Sequence, residues 1–214
     1  MFERILLAAV LLGAAPLAAS ATTLGFDCIT NNKVVDCTSG ESQLAVAVSD
    51  DSGKLLFTLT NTGPNAMSIT DVYFDDGSTA LLATPMTITN GTGVSFSEGA
   101  NPPALPDGGT GWQFSADSNP GNPGVMTNGV NPGQWLGISF AYASDKAFGN
   151  VYDELSSGDL RIGIHVQGFA NGGSKSFVNL PPSETPPIPE PATVAMLLAG
   201  LGIVGWRVRR RAAA

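Results

Sequence analysis

The sequence predicts an all-β protein built as a single antiparallel β-sandwich of jelly-roll or Ig-like type. Three observations predict it. The 214 residues hold 26 glycines and 15 prolines, well above the usual combined share of about 12%, which favours short elements and many turns. Period-two alternation of apolar and polar residues recurs in several segments, and one buried face opposite one wet face is what an antiparallel sheet allows. Only 13% of residues are charged while 43% are hydrophobic, so a core is available and disorder is disfavoured. A coiled coil or long helical bundle does not suit this composition. A pI of 4.4 speaks against a nucleic-acid partner.

The chain begins with an export signal over residues 1–21. Ile5 to Leu12 is an apolar run, and the small residues Ala19 and Ala21 suit cleavage by signal peptidase after Ala21. Residues 22–180 are expected to form the β-sandwich. Cys28 and Cys37 are the only cysteines, and in an exported protein they read as a disulfide. Asp27 to Thr30 and Lys33 to Cys37 are expected to pair as a hairpin around an Asn31-Asn32 turn.

Leu44, Val46 and Val48 alternate with polar or small residues. After the Asp50-Asp51-Ser52-Gly53 turn, Leu55, Phe57 and Leu59 do the same. These read as two hairpin strands. Residues 98–133 are rich in turn signals and read as loop, with Trp112 and Phe114 as anchors. Leu136, Ile138, Phe140 and Tyr142 share a strand face. Lys146 to Leu155 is the sole helical candidate, weakened by Gly149. Leu160, Ile162, Ile164 and Val166 are predicted to point into the core, opposite Arg161, Gly163, His165 and Gln167. An Asn171-Gly172-Gly173 turn leads to a last strand over Phe177 to Leu180.

Beyond it, residues 181–188 form a proline-rich linker, stiff and extended because proline fixes φ and removes a donor. Pro189, Glu190 and Pro191 follow, then an uncharged stretch from Ala192 to Trp206, then Arg207, Arg209, Arg210 and Arg211 around Val208. The uncharged stretch is expected to be a transmembrane helix. As a helix its 15 residues rise roughly 22 Å, short of the hydrocarbon core of about 30 Å. It suits a temporary anchor better than a permanent one. The arginines belong on the cytoplasmic side and stop the chain there, which leaves the body outside.

These four features in this order resemble the PEP-CTERM sorting signal over residues 189–214. The resemblance implies export in a Gram-negative bacterium that makes extracellular polysaccharide, temporary anchoring in the inner membrane, and removal of the tail at the motif by an exosortase. The released protein would belong to the cell surface or the extracellular matrix. Tails of this type also carry an ice-binding C-terminal label. Ice binding would favour a regular threonine array, whereas Thr84, Thr87, Thr89 and Thr92 make only a short patch. In the body, Ile69 to Gly77 and Leu160 to Phe169 resemble a family of uncharacterised PEP-CTERM surface proteins, which implies no known activity.

Candidate chemistry in the body is sparse. Asp71, Asp75 and Asp76 before Gly77 offer oxygens that suit Ca²⁺, although the spacing of a helix–loop–helix calcium site is absent. Trp112 and Trp135 fall in or beside long loops, where exposed rings stack on sugars and buried ones plug the core. No catalytic motif is recognisable, and His165 is the only histidine. Residues 22–188 hold 16 acidic against 5 basic residues, so neither nucleic acid nor an anionic polysaccharide is attracted non-specifically. The sequence therefore reads as an exported, non-catalytic envelope or matrix protein without a cofactor. Its partners would be signal peptidase, an exosortase, the membrane through residues 192–206, and extracellular polysaccharide. The two rivals are a carbohydrate-binding module and a secreted polysaccharide hydrolase.

Overall fold

In the computed structural model, residues 21–30, 33–78, 80–100, 105, 111–119 and 125–182 are described. The export signal up to residue 20, the Asn31-Asn32 turn, and the tail with its Pro-Glu-Pro motif, apolar stretch and arginines lie outside these residues. Ala21 opens the described part, and Pro181 and Pro182 close it. Among the described residues, no helix is long and apolar enough to cross a membrane.

Two antiparallel sheets carry the fold. The first has the order β1 (Thr22–Leu24), β3 (Leu44–Asp51), β4 (Lys54–Asn61), β9 (Gln134–Tyr142) and β6 (Leu82–Asn90). The second has the order β2 (Phe26–Cys28), β11 (Ser174–Asn179), β10 (Arg161–Gln167), β5 (Ser68–Asp75), β8 (Trp112–Asp117) and β7 (Ser97–Glu98). Their inward faces meet through aromatic rings. Phe57 on β4 lies 4.8 Å from Phe74 on β5, and Phe140 on β9 lies 5.1 Å from Phe74 and 5.0 Å from Phe114 on β8. Edge-to-face and tilted pairs at such separations add to the area each ring buries.

The alternation read from the sequence holds on these inward faces. Leu44, Val46 and Val48, then Leu55, Phe57 and Leu59, then Leu136, Ile138 and Phe140 are all buried. Ile162, Ile164 and Val166 are fully buried as well, and Arg161 and His165 on the opposite face are half-buried. The strand β8 lies inside the span read as loop. Five of its six residues pair with β5, Gln113 being passed over at a register shift between Phe74 and Asp75, and turn-rich flanks on both sides mask its short alternation.

The expected hairpin at the cysteines is replaced by a helix. Cys28 does end a strand, and it is bonded to Cys37 with a Cα separation of 5.3 Å. Cys37, however, lies in α1 (Val34–Gln43), not in a pairing strand. The buried positions of α1 are Asp36, Cys37, Gly40 and Gln43, a helical spacing written in polar and small residues. A search for apolar periodicity passes over it. Its only large apolar residues, Val34 and Val35, are 74% and 69% exposed.

Polar contacts and one close approach seat this helix instead. Asp36 meets Lys175 at 3.7 Å, and the Gln43 amide donates to Asn61 Oδ1 at 2.7 Å. A Cβ on Gly40 would stand 2.3 Å from Cζ of Phe177, so only glycine lets the helix lie on that ring.

The second helix, α2 (Phe148–Ser157), starts two residues after the expected one. The Asn150 side chain accepts the Ala147 N–H at 3.0 Å, and Gly158 ends the helix with φ +80°. Gly149 meets nothing within 4 Å, and α2 is anchored through Val151 and Leu155.

Candidate functional site

The acidic residues of β5 are where the sequence places candidate metal ligands, and β5 is buried along its whole length. Its register against β10 shifts between His165 and Val166, which leaves Thr70 as the extra residue of a bulge. The Thr70 hydroxyl donates to Asp71 Oδ2 at 2.7 Å and accepts from the Gln167 amide at 3.1 Å. Asp71 stands directly opposite Asp117 of β8, so two carboxyls share a nearly dry outer surface of the sheet.

Burial pushes both carboxyls above the usual carboxylate range. Hydrogen bonds from Thr70 and Tyr73 oppose this at Asp71, and the Asn119 N–H opposes it at Asp117. The negative charge of Asp71 raises Asp117 further. Burial and the neighbouring Asp71 likewise push the Tyr73 phenol upward, so it stays a donor.

Asp75 and Asp76 are engaged elsewhere. Asp75 is paired with Arg161, whose guanidinium lies 5.2 Å above the Trp112 ring. The Asp76 carboxylate accepts the Leu81 N–H at 2.9 Å and the Leu82 N–H at 2.8 Å, which holds the turn into β6. Burial also raises its pKa, against those two bonds. Asp71 and Asp75 sit four residues apart on one strand, about 13 Å at 3.3 Å per residue. Among the described residues, no group of three His, Cys, Asp or Glu side chains is arranged to hold a metal ion.

A carboxyl with a raised pKa in the folded state binds its proton more tightly there than in the unfolded chain. Stability contributed by Asp71 and Asp117 is therefore highest in acid and falls as pH rises through their raised values. Asp71→Asn keeps an acceptor for Thr70 and Tyr73 but removes one charge of the pair. It is expected to raise the melting temperature near neutral pH and to flatten the loss of stability with pH. A variant that melts lower than the parent at neutral pH, with the slope unchanged, would show that the pair carries no such penalty.

The two tryptophans singled out by the sequence have opposite fates. Trp112 is half-buried: its ring meets Tyr73 edge-on at 6.4 Å, lies under Arg161, and occupies the space that a side chain at Gly163 would need. Its stacking surface is spent inside the protein. Trp135 is 41% exposed. It lies on the outward face of the five-stranded sheet, where Gly137 would place a Cβ 3.5 Å from ring atom Cζ3 and Gly91 would place one 3.2 Å from ring atoms Cε2 and Nε1.

Around this ring the cross-strand rows of the described residues carry no charge, and apart from Leu56 their side chains are small or hydroxylated. One cross-strand row runs Thr23, Ala47, Thr58, Gly137, Thr89; a second runs Ser49, Leu56, Ser139, Thr87; a third runs Ala45, Thr60, Trp135. Asp51 and Lys54 appear only at the end of the sheet. Sequence reasoning noted Thr87 and Thr89 but not their neighbours, because a row across strands joins residues far apart in the chain.

His165 faces Asp71 on one side and Ser176 on the other, with Nδ1 3.3 Å from the Ser176 hydroxyl. Burial lowers its pKa, so it stays neutral near physiological pH. A neutral, half-buried imidazole bonded to a serine is a structural member of the sheet's outer surface.

The tail matches a known family. Residues 187–211 match the family described as the PEP-CTERM protein-sorting motif. This chain carries a PEP-CTERM sorting motif. The match runs from Pro187 to Arg211, so it takes in Pro189-Glu190-Pro191, the uncharged stretch and all four arginines. The PEP-CTERM motif supports export, exosortase-dependent sorting, and a surface or extracellular destination. No curated protein and no solved structure matches this PEP-CTERM chain.

Proposed function

We propose that this is a non-catalytic protein of the envelope or extracellular matrix of a Gram-negative cell, cut by an exosortase at Pro189-Glu190-Pro191. The observation that carries the reading is the PEP-CTERM match at residues 187–211. Ala19 and Ala21 at the other end supply a site for signal peptidase, and residues 192–206 hold the precursor at the inner membrane until the cut. The absence of catalysis is inferred from how the reactive groups are used. Asp75 pairs with Arg161, Asp76 holds backbone N–H groups, and His165 is neutral beside Ser176. The intact mass of the protein recovered from its native host tests the reading. A mass lacking both the first 21 residues and the arginine cluster is expected. A mature protein that retains Arg207 to Arg211 would replace the sorting signal with a plain tail anchor.

A further inference from the structure

The indole of Trp135 is 41% exposed on the outward face of the five-stranded sheet, among cross-strand rows of Thr, Ser, Ala, Gly and Leu56. Core packing does not need it there, because the inward face of β9 is already filled by Leu136, Ile138 and Phe140. One glycine makes room for it. A side chain at Gly91 would clash with the Trp135 carbonyl at 2.5 Å and crowd the ring at 3.2 Å, whereas one at Gly137 would meet the ring in ordinary contact at 3.5 Å. Thr60 pairs with Trp135, and Thr58 and Thr89 pair with Gly137 on the same strand; the Thr60 hydroxyl donates to the Ala45 carbonyl at 3.4 Å and can still accept, as hydroxyls do.

We propose that this face binds a neutral polysaccharide, with one sugar ring stacked on Trp135 and its hydroxyls met by the neighbouring threonines. The proposal rests on the reading of the chain as a surface or matrix protein and names the partner that reading leaves open. Three features select this chemistry. An exposed indole fits the apolar face of a pyranose. Rows of hydroxyls on strands about 4.8 Å apart offer repeated partners to a polymer. Among the described residues, the cross-strand rows through and beside the ring hold no ionisable side chain, while the whole chain carries a net charge of −8. An anionic polymer would be repelled at long range and find no cation near the ring, whereas a neutral one meets neither obstacle.

The test uses the full chain in a detergent without a sugar headgroup. It is run through native gels containing mixed-linkage β-glucan, galactomannan, dextran or, as the anionic comparison, alginate. Retardation by at least one neutral polymer and not by alginate is expected. Trp135→Ala should weaken that retardation by about tenfold, as loss of a central aromatic anchor does, and Trp135→Tyr should restore most of it. Thr89→Arg leaves the core untouched and covers the ring from an exposed position, so it should weaken binding as much if Trp135→Ala misfolds. Retardation by alginate alone, binding unchanged in Thr89→Arg, or no retardation by any neutral polymer overturns the proposal. So does a face that instead pairs two copies of the chain, seen as a dimer in light scattering that Thr89→Arg abolishes. None of these outcomes alters the mass of the processed protein, so the sorting reading stands or falls separately.

Discussion

Replacing Ile164 by Asp is expected to leave the body unfolded, while His165→Ala, one residue away, costs about 1 kcal/mol, the scale of a single net hydrogen bond. Ile164 is fully buried on the central strand β10, flanked by Val72 of β5 and Phe177 of β11, which are also fully buried. The change forfeits about 1.5–3 kcal/mol of apolar burial. It also forces a carboxylate, or the cost of protonating it, into a space with no partner. Together these reach the scale of the whole stability of a domain, about 5–15 kcal/mol. His165 points to the other side of the same strand, and its loss removes a contact with Ser176 without opening the inter-sheet core. Circular dichroism melting curves of both variants check the pair. Tolerance of Ile164→Asp together with unfolding of His165→Ala would mean that the strand faces are inverted by one residue.

The second large effect concerns processing. Glu190→Ala is expected to abolish cleavage and leave uncut protein in the membrane fraction. Pro189 and Pro191 flank Glu190, the one charge of the motif, with two residues that fix φ and lack an N–H donor. On the proposed reading, the uncharged 192–206 stretch would bring that motif to the bilayer and the arginines would keep the chain from passing through. Each part fails differently. Neutralising Arg207, Arg209, Arg210 and Arg211 should misroute the chain and leave the motif intact. Deleting 192–214 should release a folded, soluble body. The last strand ends at Asn179, and the Leu180 N–H already closes on the Gly25 carbonyl at 2.9 Å. Fractionation followed by mass measurement separates the three variants. Normal processing of Glu190→Ala would remove Glu190 from the recognition event.

Much of the fold and of the sorting signal was legible in the sequence, because both are written locally. A half-buried strand shows itself wherever its two faces differ, as in Leu44 to Val48, Leu55 to Leu59 and Leu160 to Val166. The disulfide was legible from two cysteines in an exported chain, and the tail from motif, apolar stretch and arginines in order. Where both faces of an element are covered, or where an element docks through polar groups, that local signature vanishes. Strand β5 is buried from Ser68 to Asp75 and shows no alternation of exposure. Helix α1 buries Asp36, Gly40 and Gln43, so its period is invisible to a hydrophobic reading.

The candidate sites divide in the same way. Sequence named Trp112 and Trp135 as equals, and only packing set them apart. Arg161 and Tyr73, distant in the chain, cover the first, while Gly91 makes room for the second, which stays 41% exposed. Asp71 was noticed beside Asp75 and Asp76, yet its real neighbour is Asp117, brought opposite it by the β5–β8 register. Strand patterning, the disulfide and the sorting tail were thus determined by the sequence itself, since they depend on residues a few positions apart. Which aromatic meets solvent and which carboxyls meet each other was decided by tertiary structure, because antiparallel pairing joins residues that no local pattern connects.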